Sequence, residues 1–155
     1  MLCCLLPLGA ATLAGCAGPV RIDASDLDPA DRAACEAFLD DLPDQLADEG
    51  ERDVDPADAL GAAYGDPPIV VTCVAQVPEE FDSQSSCEQV NDVGWFVPYD
   101  QVADPDADAV LTALSHHPFV EVSVPGDYRP DGAAAVLADL AKPIADNLEL
   151  VDECL

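Results

Sequence analysis

Three groups of side chains in this 155-residue chain have types and spacings that chemistry could use: an alternating aspartate run, a Ser-His-His triplet and a set of cysteines. Asp104, Asp106 and Asp108 repeat the Asp-x-Asp-x-Asp opening of a calcium loop, where carboxylates at alternate positions supply oxygen ligands. Such a loop also needs a glycine at its sixth position and a glutamate at its twelfth; here these are Ala109 and Ser115. A complete EF-hand is excluded, which leaves the three aspartates as candidates for a looser cation site or a solvated acidic turn. Ser115-His116-His117 holds both histidines of the chain. Adjacent residues point to different sides of a strand or a helix, so the two rings do not converge on one metal. Ser115 beside His116 lacks the orienting third group of a nucleophilic pair. With 32 Asp and Glu in the chain, a catalytic carboxylate pair does not stand out from its background. No glycine-rich phosphate loop is present, and we assign no catalytic residue and no cofactor.

The cysteines say more, and they begin in the leader. Residues 2–14 are apolar or small, with Pro7 and Gly9 as helix breakers. The run falls short of the roughly 18–20 residues that span a bilayer and fits the core of a secretory signal peptide. Its end, Leu13-Ala14-Gly15-Cys16, resembles the bacterial lipobox. The resemblance implies that residues 1–15 are a signal peptide, that Cys16 becomes the new N-terminus, and that its thiol carries a diacylglycerol. Each buried methylene contributes about 0.8 kcal/mol, so two acyl chains anchor stably where one is marginal. Residues 1–12 contain no Lys or Arg, although a signal peptide opens with positive charge; further residues are expected upstream.

Residues 16–27 read as a lipidated tether and residues 28–155 as a single domain. A domain of that length buries about two-thirds of its unfolded surface, enough for a core that needs no metal. The formal net charge is −27, from 32 acidic residues against 5 Lys and Arg. Phosphate binding needs a basic face, so nucleic acid is excluded as a partner. Anionic membrane would repel the domain, and the lipid has to hold it there. Once Cys3 and Cys4 leave with the leader and Cys16 is lipidated, Cys35, Cys73, Cys87 and Cys154 remain. An even number in an exported chain reads as two disulfides, with three possible connectivities. The alternative zinc site lacks any Cys-x-x-Cys or His-x-x-x-His spacing.

Along the chain, Asp28-Pro29-Ala30-Asp31 supplies an N-cap, a proline at the first helical position and an acid in the first turn. Cys35, Phe38, Leu39, Leu42 and Leu46 then form one stripe of a helix interrupted near Pro43, with Cys35 facing inward. Residues 47–55 read as an acidic loop, and Asp55-Pro56 as the start of a short helix through Ala63 closed by Gly65. The run from Ile69 to Val77 predicts a central strand buried on both faces, stopped by Pro78. Asn91-Asp92 between Val90 and Val93 predicts a tight hairpin that would set Cys73 and Cys87 on neighbouring strands. Their bond would leave Cys154 for Cys35, pinning the tail to the first helix. Trp95 reads as core. Residues 103–115 fit helix or strand equally, whereas Val120, Val122 and Val124 alternate as a half-buried strand. A last helix starts at Asp131-Gly132 and bends or ends at Pro143.

The order of these motifs is itself informative. It runs from Cys35 with Leu42-Pro43 to Gly65-Asp66-Pro67-Pro68-Ile69-Val70-Val71 and Cys73. Cys87 with Val90-Asn91-Asp92-Val93-Gly94-Trp95 follows, and then Val120-Glu121-Val122-Ser123-Val124-Pro125 before an Ala/Leu helix. Over most of residues 35–145 this resembles the actinobacterial lipoprotein family catalogued as domain of unknown function 3515. The resemblance implies an exported, envelope-associated protein and brings no activity. The expected fold is α+β, with a small, mostly antiparallel sheet, helices packed at one face, N- and C-terminal helices and two disulfides. The expected role is a non-enzymatic binding or accessory module, lipid-anchored at the outer face of the cytoplasmic membrane. A carboxylate hydrolase and a calcium-dependent interaction module are the alternatives.

Overall fold

The computed structural model describes residues 18–151 and 154, apart from Ser83 and Pro105, and of Asp131 and Gly132 the backbone alone. Residues 1–15, expected as a signal peptide, and Cys16 lie outside the described residues. The chain runs β1 (Val20–Arg21), α1 (Pro29–Asp40), β2 (Gln45–Leu46), β3 (Glu49–Arg52), β4 (Val54–Asp55), β5 (Gly61–Tyr64) and β6 (Ile69–Val74). It continues through β7 (Cys87–Val90), β8 (Val93–Phe96), α2 (Tyr99–Ala103), β9 (Ala109–Ala113), β10 (His116–His117) and β11 (Phe119–Val124). A 3-10 turn at Gly126–Tyr128, α3 (Arg129–Asn147) and β12 (Glu149–Leu150) complete it.

An eight-stranded sheet in the order β2-β3-β5-β6-β11-β9-β8-β7 organises these elements, and its ladders are antiparallel. The fold is therefore α+β as expected, with a larger sheet. Strand periodicity explains its two faces. Ile69, Val71 and Cys73 of β6, Val120, Val122 and Val124 of β11, and Leu111 and Ala113 of β9 are buried in one core. Cys35 and Phe38 of α1 and Val136, Leu140 and Ile144 of α3 join them there. Each large side chain enclosed in this way contributes roughly 1.5–3 kcal/mol. Asp28 caps α1 as expected, its Oδ1 accepting from Ala30 N–H at 2.8 Å and Asp31 N–H at 2.9 Å.

Several local expectations give way to pairing. No helix forms after Asp55-Pro56; β5 instead lies between β3 and β6, where two ladders outweigh one short helix. Gly61 makes this possible, because a Cβ there would sit 2.6 Å from the Val71 carbonyl oxygen. The acidic stretch after Leu46 is a hairpin turn into β3, with Ala47 and Asp48 at φ of 50° and 67°. Asn91 and Asp92 make the expected β7–β8 turn, at φ of 49° and 68°. Strand β6 ends at Val74 and buries one face fully; Val70, Thr72 and Val74 are only half-buried. The ambiguous stretch after Ala103 resolves as strand β9, and α3 starts at Arg129 and runs through Pro143 to Asn147.

The disulfide pairing also differs from expectation. Cys35 joins Cys73, tying α1 to β6 with Cα atoms 6.1 Å apart, and Cys87 joins Cys154, tying β7 to the tail at 5.6 Å. Strands β11, β9 and β8 lie between β6 and β7. At about 4.8 Å per strand, Cys73 and Cys87 are far beyond disulfide reach. Cys73 instead faces the helix layer, where the apolar stripe of α1 presents Cys35.

Mass mapping of a non-reducing digest should recover Cys35–Cys73 and Cys87–Cys154 peptides, and a Cys73–Cys87 peptide would refute the pairing. Replacing either pair by alanines should lower stability by about 4 kcal/mol on the chain-entropy account. Ala47→Gly and Asp92→Gly, which relieve side chains from the left-handed region, should each raise stability by about 1 kcal/mol in urea unfolding.

Candidate functional site

The strand alternation that buries the valines turns Val70, Thr72 and Val74 of β6 and Glu121 and Ser123 of β11 to the opposite face. The N-terminal segment crosses this face. Val20 N–H donates to Asp53 O at 2.8 Å and Ile22 N–H to Asp55 O at 3.0 Å, and β1 pairs in parallel with β4. Ile22 is buried beside Gly61, and Ser25 Oγ donates to the Cys73 carbonyl at 2.9 Å. The stretch expected as a tether, residues 16–27, is thus bound to the domain from Val20 onward. Its apolar residues and backbone groups find better partners on the sheet than in water.

Between this segment and the sheet lies a cleft of 480 Å³, lined among others by Arg21, Asp23, Ser25, Asp26, Thr72 and Glu121. Arg21, Val70 and Ser123 also line a neighbouring hollow of 610 Å³ that reaches Asp106, Asp108 and Asp127. Glu121 stands directly opposite Thr72 on one neighbouring strand and Thr112 on the other. Burial raises the pKa of its carboxyl, and no salt bridge to it is found among the described residues. Thr72, Glu121 and Ser123 line the cleft together.

The residues singled out in the sequence are distributed elsewhere. Asp104 Oδ1 accepts from Asp106 N–H at 3.2 Å, and Asp108 Oδ1 accepts from Gly126 N–H at 2.8 Å. These carboxylates tie turns together. Among the described residues, no three His, Cys, Asp or Glu converge as a metal site. Ser115 is fully buried, its Oγ accepting from Gly94 N–H at 2.8 Å and lying 2.9 Å from His116 Nδ1. Burial lowers the pKa of His116, and its Nδ1 shares a hydrogen bond with the Ser115 hydroxyl. A nucleophile sealed from solvent meets no substrate, so this pair is a structural brace between β8 and β10. His117 points the other way, 3.3 Å from Asp31 of α1 and edge-on to Phe119. Trp95 is fully enclosed as expected, although its Nε1–H meets no acceptor among the described residues.

Glu121 and the cleft above it were not singled out in the sequence. The alternation Val120-Glu121-Val122-Ser123-Val124 was a usable signal for the face. Nothing local announced that residues 20–26 would cover it.

The family model described as Protein of unknown function (DUF3515) matches residues 1–152. The chain belongs to this family. No curated protein and no solved structure matches it. The family description carries no activity.

The titrating groups allow a signed test. Because burial raises the Glu121 pKa in the folded state, its contribution to stability falls as pH rises above the ordinary value of 4.5. Glu121→Gln should therefore stabilise the protein at pH 7 and make no difference near pH 3, read by denaturant unfolding at the two pH values. His116 has the opposite sign: stability is lost as pH falls below its ordinary value of 6.5. Ser115→Ala, which strips partners from Gly94 N–H and His116, should cost about 1–3 kcal/mol in denaturant unfolding.

Proposed function

We propose that this protein is an envelope lipoprotein, anchored by a diacylglycerol on Cys16, whose domain serves as a non-enzymatic binding or accessory module. The observation that carries this reading is Leu13-Ala14-Gly15-Cys16 after a short apolar run. Two disulfides support the oxidising, exported side of the membrane. From Cys16 to Val20 is at most about 14 Å of extended chain, so the domain rides close to the bilayer with its cleft on the segment that arrives from the anchor. At a net charge of −27 such a domain gains nothing from anionic lipid, and the acyl chains supply the attachment. The cleft offers hydroxyls and a protonatable carboxyl and thereby fits a polar, hydrogen-bonding ligand.

Glu121 gives a carboxylate hydrolase some support as a second reading, since a raised pKa suits a general acid. A turnover assay on cell-wall glycan would separate the two: activity abolished by Glu121→Gln would establish the hydrolase. The anchor has its own measurement. Cys16→Ser should move the protein from the membrane fraction to the soluble fraction and abolish labelling by a radioactive fatty acid. Unchanged membrane association in that variant would refute the reading.

A further inference from the structure

On leaving β8 the chain carries apolar side chains onto a helix too short to bury them. Tyr99 is 88% exposed and Val102 58%, two of the four large hydrophobic side chains exposed among the described residues. No residue of the five-residue α2 is buried. Isolated exposed apolar groups need no explanation, but these adjoin a hollow of 620 Å³ lined also by Phe96, Val97 and Pro98. Its rim is acidic: Glu80, Asp82, Glu88 and Asp100 line it, and no Lys or Arg does.

The chain has few cations with which to neutralise that rim. Arg52 is held by Asp66 and by the carbonyls of Gly65 and Gly18. Arg129 spends its donors on the carbonyls of Gln101, Asp104 and Ala107, and Lys142 pairs with Asp146 on its own helix. Arg21 lines the cleft on the outer sheet face, which leaves Arg32 of α1. An exposed aromatic ring among unneutralised carboxylates is the chemistry that receives a guanidinium or ammonium group. The ring face attracts the cation, and the carboxylates give charge-assisted hydrogen bonds.

Charge also decides between occupants. A second copy of this chain brings another net charge of −27 and the same acidic rim, and an anionic bilayer surface is repelled in the same way. We propose that the Tyr99 hollow docks a basic, partly apolar segment of a partner polypeptide. Its Arg or Lys side chains lie against Tyr99 and the rim carboxylates, and its apolar side chains lie against Val97 and Val102. This assignment depends neither on the lipid anchor nor on the cleft beside Glu121.

The test uses the full chain in neutral detergent and, as probe, a short synthetic peptide alternating Arg with Leu, followed by titration calorimetry at two salt concentrations. Tyr99→Ser combined with Val102→Ser, which leaves the charge unchanged, should weaken binding roughly tenfold. Glu88→Gln with Asp100→Asn should weaken it comparably and flatten its salt dependence. Tyr99→Phe keeps the ring and should bind as the parent does. A control with the same charge change elsewhere, Glu36→Gln with Asp58→Asn, should leave affinity within about twofold. All these side chains except that of Tyr99→Phe are removed from exposed positions, and an unchanged melting curve verifies the fold of each variant. The proposal is overturned if the control weakens binding as much as the patch variants do, or if a peptide with Gln for Arg binds equally well. It is also overturned if sedimentation shows a dimer that Tyr99→Ser disperses, since the occupant would then be a second copy.

Discussion

Val71 stands directly opposite Val122, which stands opposite Leu111 on its other side, and the other main features of the molecule rest on this row across β6, β11 and β9. All three side chains are buried in the core shared with α1 and α3. Strand side chains alternate with period two, so this register also sets what lies on the other face. There Thr72, Glu121 and Thr112 form the adjacent row. A slip of one residue would carry the valines into the outer cleft and Glu121 into the helix layer. The same constraint therefore builds the core and floors the cleft.

Covalent and backbone ties then hold the periphery to that centre. Cys35–Cys73 fixes α1 on the middle of the sheet, and Cys87–Cys154 fixes the tail on the far edge strand. Near that edge the tail also receives Gln89 Nε2 on the Cys154 carbonyl at 2.9 Å and sends Val151 N–H to Ser115 O at 2.7 Å. At the other end of the chain, Val20, Ile22 and Ser25 fasten the N-terminal segment across the outer face. The segment from Val20 to Ser25 and the tail at Val151 and Cys154 are thus part of the fold's architecture, and the first of them forms one wall of the cleft.

Acidic excess shapes this domain in a second way. Arg52 and Arg129 are turned largely toward backbone carbonyls, where they hold loops, so little positive charge is left to offset the surface. Asp104 and Asp108 are likewise engaged by backbone N–H groups. Carboxylates that look like ligands in a linear motif act here as turn-forming acceptors, a common use for aspartate. The chemical interest moves to carboxyls whose surroundings are unusual, Glu121 in its cleft and the rim beside Tyr99.

Much of the local structure was legible because it rests on short-range physics. The Asp28-Pro29 cap, the inward Cys35 and Phe38 of α1, the Asn91-Asp92 turn and the valine alternation of β11 each follow from neighbours a few residues apart, whereas α1 ends at Asp40 and Leu46, expected on its stripe, belongs to β2. The α+β class and the presence of two disulfides were also legible, the latter from an even number of cysteines, and the order of motifs carried the resemblance to the family. The expected helix after Asp55 and the loop before it were misread because β3 and β5 are created by partners distant in sequence, not by their own propensities. The cysteine pairing failed for the same reason: sequence order suggested that β6 and β7 are neighbours, whereas three strands intervene. Sequence alone thus determined the α1 cap, the Asn91-Asp92 turn and the buried alternation of β11, since period and turn chemistry are local. Strand order, disulfide partners and the covering of the Glu121 face were decided only in the tertiary structure, where distant segments compete for the same sheet.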